Sequence, residues 1–553
     1  MVAAISPEFI WPDLAYEARA KVLASIPEYA RIDVDYWKAK YPKGSDVRAV
    51  AAECGIMTLR ELEITDMAND ATTILENIKN KEWTSEEVTL AFGKRACIAH
   101  QMTSCLADIF LEEGLARARE LDAYYTKTGK IVGPLHGLPF SIKEHYKMKG
   151  HVSTVSILAR LDSPAEPAHS SLNQLLYDAG AVFYVRTNMP QSGMQLETNS
   201  FWGETTNPWN TALTPGGSSG GCTSLLAFGG SPMSLGGDIG GSLRCPASHT
   251  GLWTLKCNTQ RVPRESQAVP VMPGNDGLIG SNGPLARSLR DVHLFMNVVL
   301  GTQPWLREQS LVPLPWRKPT LALANRRLRI GIIQHDGVVL PQPPTRRALN
   351  AMIQALRKDG RFELVDFAPL NHAQGIKLAH QLYYTDAGAT FRAAMKKGAE
   401  PLLPLSEWVI SLPQIHKHSI LEYWELVACR DAFRAAYLEH FNSYNVDAIL
   451  CPTTYGPAAP LGTSSTWSYT CIWNLLDYPG ASFPTGFVAN PAVDVKDAPR
   501  EYMSEDDRYV SEIYDPALVS NAPLGLQLVG RRFHEENLMY ILGEISTLLP
   551  LQA

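Results

Sequence analysis

The segment from Pro215 to Pro246, PGGSSGGCTSLLAFGGSPMSLGGDIGGSLRCP, constrains this chain more than any other. Two glycine-flanked serine sites, Ser218/Ser219 and Ser242, lie in backbone almost stripped of side chains. Glycine opens backbone conformations closed to other residues and lets a neighbouring atom approach the main chain. A serine within Asp238-Ile239-Gly240-Gly241-Ser242 can therefore attack a carbonyl while adjacent N–H groups face the developing oxyanion, as acyl transfer requires. One Gly-Gly pair alone reads as a turn. Two clusters that both carry serine point to chemistry.

The surrounding sequence predicts an α/β chain. Apolar spacing predicts helices over 13–26, 58–78 and 112–125. Thr84-Ser85-Glu86-Glu87 fits a capping box that starts a helix running toward His100. A turn-rich stretch from Gly133 to Pro139 then enters a short apolar strand, Phe140-Ser141-Ile142, ending at Lys143. A helix over 170–179, a stop at Gly180 and a buried strand over 181–185 follow the grammar of α/β folds. Further on, the pattern predicts a helix over 222–228, a strand leading from 233–235 and a proline-rich surface linker over 304–319. Strands follow at 328–333, 362–367, 447–450 and 524–529, with helices at 345–356 and 535–548, mainly helix over 372–440, and a polar surface loop over 489–521. We expect residues 1–80 to form a helical N-terminal arm and 81–553 one catalytic domain.

Composition narrows the function. Hydrophobic residues make up 45% and charged residues 19% of 553, enough for a large core. A net charge of −6 leaves no basic footprint for nucleic acid. Nine scattered cysteines without a CxxC pair, no signal-peptide pattern and no apolar run long enough to span a bilayer imply a cytoplasmic protein with reduced thiols. The histidines give no HExxH, and His136, His145, His151, His169 and His249 lack ligand spacing, so neither a metal nor a cofactor is implied.

Other serine and phosphate motifs fail on context. GxSxG fits twice in GGSSGG, but an α/β-hydrolase elbow needs a strand directly upstream, where this chain has a loop with Pro208 and Pro215. The run lacks the Gly-Lys-Ser/Thr of a phosphate-binding loop, and no SxxK occurs. A serine activated by a distant base remains. Lys143 is the best candidate, because a lysine drawn into a buried site loses solvation and its neutral form gains. The plainer alternative for Lys143 alone is a strand-end lysine in water.

GLPFSIKE around Lys143, GGSSGG around Ser218 and GGDIGGSLRCP around Ser242 occur with Asn207-Pro208-Trp209, GPLARSLRD, DAILCPT, LDYPG and LGLQLVGRRFHEENL. Together they resemble the amidase signature family over about 130–545, and most closely its acetamidase-like fungal branch. The resemblance implies one large α/β/α domain, a mixed central sheet covered by helices on both faces. It implies a Ser-cis-Ser-Lys triad: Ser242 as nucleophile, Ser218 as bridging serine on a cis peptide, and Lys143 as base. The N–H groups of Ile239, Gly240, Gly241 and Ser242 would hold the oxyanion, and Gly193 and Met194 fall at the substrate-lining loop. We read Asp238 and Arg244 as an ion pair bracing the loop and Ser219 as a loop hydrogen-bonder. The implied partner is a small-molecule amide, with no cofactor and with homodimers common in the family.

Three departures stand out. Gly237 replaces the family's usual Thr, Cys222-Thr223-Ser224 replaces Glu-Gly-Ala, and Thr254-Leu255-Lys256-Cys257-Asn258 replaces Gly-x-Lys-Pro-Thr. They keep open an impaired or non-catalytic protein that uses the cleft for binding. A glutamine-hydrolysing amidotransferase subunit with the same triad is the third reading.

Overall fold

In the computed structural model, which describes residues 11–265, 267–268, 274–319 and 326–551, the apolar runs come together as one eleven-stranded sheet. Across the sheet the strands are Leu106–Ile109, Val182–Thr187, Pro139–Lys143, Met233–Asp238, Ser281–Ala286, Trp253–Lys256, Gly480–Val488, Pro523–Val529, Ala448–Pro452, Leu328–Ile332 and Phe362–Asp366. The edge pair Leu106–Ile109 with Val182–Thr187 and the pairs in the middle are antiparallel while the others are parallel, so the sheet is mixed.

Side chains on a strand alternate between faces, and the strand Ala448–Pro452 shows where they go. Ala448 and Leu450 join one apolar cluster while Ile449 and Cys451 join another. The helix Pro343–Asp359 supplies Leu349, Met352 and Leu356 to the first cluster. The helices His372–Tyr383 and Ser468–Leu475 supply Leu382, Tyr383, Cys471 and Ile472 to the second. The sheet is therefore buried on both faces, as the α/β/α expectation requires. Val22, Trp37, Ile64 and Ile78, from the first eighty residues, also pack into the first cluster.

Capping chemistry explains where several helices begin. The Thr84 hydroxyl accepts from Glu87 N–H and Glu87 reaches back to Thr84 N–H, starting the helix Ser85–Thr103. The single helix expected over 58–78 is two, Leu59–Ile64 and Ala71–Lys79. Asp70 breaks it: its carboxylate accepts from Thr73 N–H, an N-cap bond that favours a new start over continuation. Ser504 likewise caps a helix, Glu505–Glu512, inside the stretch expected to be loop. Three acids in its first turn face the positive end of the helix dipole. Of these, Asp507 is buried and paired with Arg500 at 2.6 Å. Among the described residues, no helix is long and apolar enough to cross a membrane.

The topology places the glycine–serine block. Strands Pro139–Lys143 and Met233–Asp238 are adjacent and parallel, with Ile142 opposite Leu235, so their C-terminal ends open on one edge. Crevices outside such strand ends are where α/β sheets bind ligands. There the chain leaves Asp238, turns through Ser242 and enters the helix Arg244–Thr250.

Candidate active site

Lys143 ends its strand with the side chain turned inward, only 2% exposed. Its Nζ donates to Ser218 Oγ at 2.7 Å and to Ser219 Oγ at 3.2 Å. Burial brings its pKa from the usual lysine range down to about 8, against the opposing pull of Cys222 and Asp238. The Gly217–Ser218 peptide is cis. Ser242 is partly exposed, and it lines one cavity of about 210 Å³ together with Lys143 and Ser218. Lys143 and Ser218, distant in sequence, thus meet, and Ser242 lines the same cavity.

The missing side chains around Ser218 reflect contact. A Cβ on Gly217 would lie 2.6 Å from Gln195 O and 2.8 Å from Glu197 N, both backbone atoms with nowhere to go. We therefore expect Gly217→Ala to push the serine loop off its neighbour. It should lower stability by about 1–3 kcal/mol and kcat by roughly 10²-fold or more, as read by thermal melting and steady-state rates. Wild-type values of both would show that the loop tolerates the shift.

The turn bearing Ser242 is held by an ion pair, as its two flanking charges suggest. Arg244 Nε and Nη2 lie 3.0 and 3.1 Å from the two Asp238 oxygens, and neither side chain is exposed. Burial pushes the Asp238 carboxyl up, but the Arg244 guanidinium outweighs it and holds the group at about 2. Asp238 also accepts from Gly241 N–H at 2.8 Å and Leu243 N–H at 3.2 Å. Beyond the carboxylate, Arg244 reaches Thr470 O, Asn474 Oδ1 and Gln527 Oε1.

These bonds divide the expected oxyanion amides. The Gly241 N–H donates to Asp238 Oδ1, so in this structure it differs from the other three in already having an acceptor. Among the described residues, the N–H groups of Ile239, Gly240 and Ser242 donate to no acceptor. Carbonyl and N–H of a trans peptide point opposite ways. The Tyr383 hydroxyl donates to Ile239 O at 2.9 Å and so aims the Gly240 N–H. Thr470 Oγ1 donates to Gly240 O at 2.6 Å and so sends the Gly241 N–H toward Asp238.

Gly193 and Met194 both line the cavity, at the end of the turn Gln191–Gly193. Ser219 is more than a loop hydrogen-bonder, since its hydroxyl is the second acceptor for Lys143. The contacts of Tyr383, Thr470 and Asn474 had no sequence signal, because these side chains come from helices more than 100 residues away. Of the departures, Gly237 faces the cavity, and Cys222 packs against Thr187. Lys256 Nζ donates to Tyr478 O, and Asn258, just past the strand, accepts from Phe533 N–H.

Comparison with known proteins places the chain in a family and a fold. The family model described as Amidase matches residues 87–539. The Schizosaccharomyces pombe protein C550.07, which carries an amidase name, is 43% identical over 542 residues, covering 98% of this chain and 99% of its own. An acetamidase of Aspergillus oryzae is 34% identical over 556 residues, again covering 98% and 99%. Among solved structures, a fatty acid amide hydrolase superposes with a TM-score of 0.92 at 33% identity, covering 98% of this chain and 96% of that one.

Proposed function

The chain belongs to the amidase family, and on that premise we propose that it cleaves a carboxylic amide through an acyl-serine formed on Ser242. The carrying observation is the 2.7 Å contact of Lys143 Nζ with Ser218 Oγ at the wall of the cavity that Ser242 lines. Neutral Lys143 accepts the Ser218 proton while Ser218 accepts that of Ser242. Ser242 Oγ then bonds to the amide carbon. The carbonyl oxygen gains the negative charge, facing the Ile239, Gly240 and Ser242 amides. When the C–N bond breaks, the proton returns along the same row to the departing nitrogen, which cannot leave as an anion. Water delivers its hydroxide part to the acyl carbon, frees the acid and restores the Ser242 proton.

Ser219 gives Lys143 a second acceptor, so the ammonium formed after proton transfer keeps two partners in a buried site. An unpaired charge there would be costly.

The scheme makes pH its test. Lys143 must be neutral to begin, and its pKa lies at about 8. The value of kcat/KM for an anilide should therefore climb tenfold per pH unit below that point and level off above it. Lys143→Ala should lose that limb together with most of the rate. A flat profile between about pH 6 and pH 10, or a wild-type rate in Lys143→Ala, would remove the lysine from the reaction.

A further inference from the structure

The cavity has two unlike walls. On one side Met194, Ile239, Leu278, Leu382 and Tyr383 belong to or pack against the second apolar cluster. On the other stand His145, Gln267 and Ser281, with Arg264 at the edge. Backbone bonds draw this polar wall together. Ala268 N–H donates to His145 O at 2.9 Å, Gln267 bridges to Tyr146, and Asn282 Nδ2 donates to Pro263 O at 2.6 Å.

Its side chains are unspent. His145 Nδ1, Gln267 Nε2 and Ser281 Oγ are buried with no hydrogen-bond partner among the described residues. Buried polar atoms in folded proteins nearly always have partners, and each exception needs an account. Ser281 is only 5% exposed and still lines the cavity. Gly237 leaves space beside the imidazole: a Cβ there would come into ordinary contact, 3.6 Å from His145 Nε2 and 3.4 Å from Asn282 Oδ1. The departure from threonine therefore enlarges the cavity on its polar side.

Charge points the same way. Asp238 is the one carboxylate among the described lining residues, and Arg244 neutralises it. The cations are Lys143, committed to Ser218 and Ser219, and Arg264. The backbone N–H of Arg264 donates to Glu308, but its guanidinium has no ion pair or hydrogen bond among the described residues. A plain aliphatic or aryl amide would satisfy the apolar wall and leave the other side untouched.

We propose that the polar wall is a subsite for a carboxylate carried by the substrate, paired by Arg264 and hydrogen-bonded by His145 and Gln267. The preferred substrate is then an amide with an anionic group a few bonds from the scissile carbonyl. This rests on the amide-hydrolase reading above. Guanidinium–carboxylate pairs are charge-assisted and strong when partly shielded, so the preference should be about tenfold and should weaken with salt.

The experiment uses the monoanilides of succinic, glutaric and adipic acids, each beside a neutral counterpart in which isopropyl replaces the carboxylate. Aniline release gives kcat/KM for the full chain. Titration calorimetry on Ser242→Ala gives binding without turnover. At least one anionic member should exceed its counterpart by about tenfold, mainly through KM. That ratio should fall toward one in Arg264→Gln and at high salt, and fall partly in His145→Phe. Equal or better use of every neutral counterpart, or a ratio unmoved by Arg264→Gln, overturns the subsite. Selective binding of an anionic anilide that is never cleaved would instead keep the subsite and refute the hydrolase reading. Cleavage with no preference does the reverse.

Discussion

Replacing Ser242 with alanine is expected to abolish amide hydrolysis, by roughly 10⁴-fold or more as in other serine hydrolases that lose their nucleophile, with little effect on folding. The two halves of that statement have separate causes. On the proposed mechanism activity falls because Ser242 is the hydroxyl on the turn that carries the unpaired Ile239, Gly240 and Ser242 amides, while Ser218 and Ser219 are both bonded to Lys143. Stability survives because the Ser242 hydroxyl has no hydrogen-bond partner among the described residues, so its removal orphans nothing. A change within about 0.5 kcal/mol is the expectation for such a site. A fluorophosphonate probe should label the wild type and leave Ser242→Ala unlabelled, with matching melting curves. Persistent labelling of the variant would move the nucleophile to another residue.

Arg244→Leu should be the most damaging change to stability, by about 3–5 kcal/mol. Leucine cannot replace the guanidinium between Asp238, Thr470, Asn474 and Gln527, none of which can turn to water from a fully buried position. Asp238 would keep its charge without the cation that now holds it at about 2. Burial would then push the group up against only the remaining pull of Lys256, Asn474 and the loop N–H groups. Denaturant unfolding should show the loss, and what folds should be inactive because the turn bearing Ser242 has lost its brace. A variant as stable as the wild type would mean that the pair contributes no more than its own desolvation cost.

The chemistry was legible because it is carried by short blocks with strict local demands. Glycines around Ser218 and Ser242 announce close approach, and Lys143 closes a strand too apolar to be a surface edge. What the blocks could not announce was the far side of each contact. Tyr383 and Thr470 decide which way the Gly240 and Gly241 amides point, yet nothing near either residue marks it for that task. The sheet was read unevenly for a related reason. Strands Ser281–Ala286 and Gly480–Val488 hold Gly283, Pro284, Gly480 and Pro484, residues that lower strand propensity. Neighbours on both sides decide their pairing, and those neighbours come from elsewhere in the chain. Local polar residues misled in the other direction: Asp70 and Ser504 mark helix starts inside stretches that spacing alone assigned to one continuous helix and to loop.

The partners of Arg244 also set a condition on biosynthesis. Thr470, Asn474 and Gln527 lie 226, 230 and 283 residues downstream of it. A nascent chain emerges from the ribosome with Lys143, Ser218 and Ser242 long before those partners exist. The turn bearing Ser242 therefore stays unbraced during translation, and on the proposed mechanism a product truncated before Gln527 should carry Lys143, Ser218 and Ser242 yet lack activity.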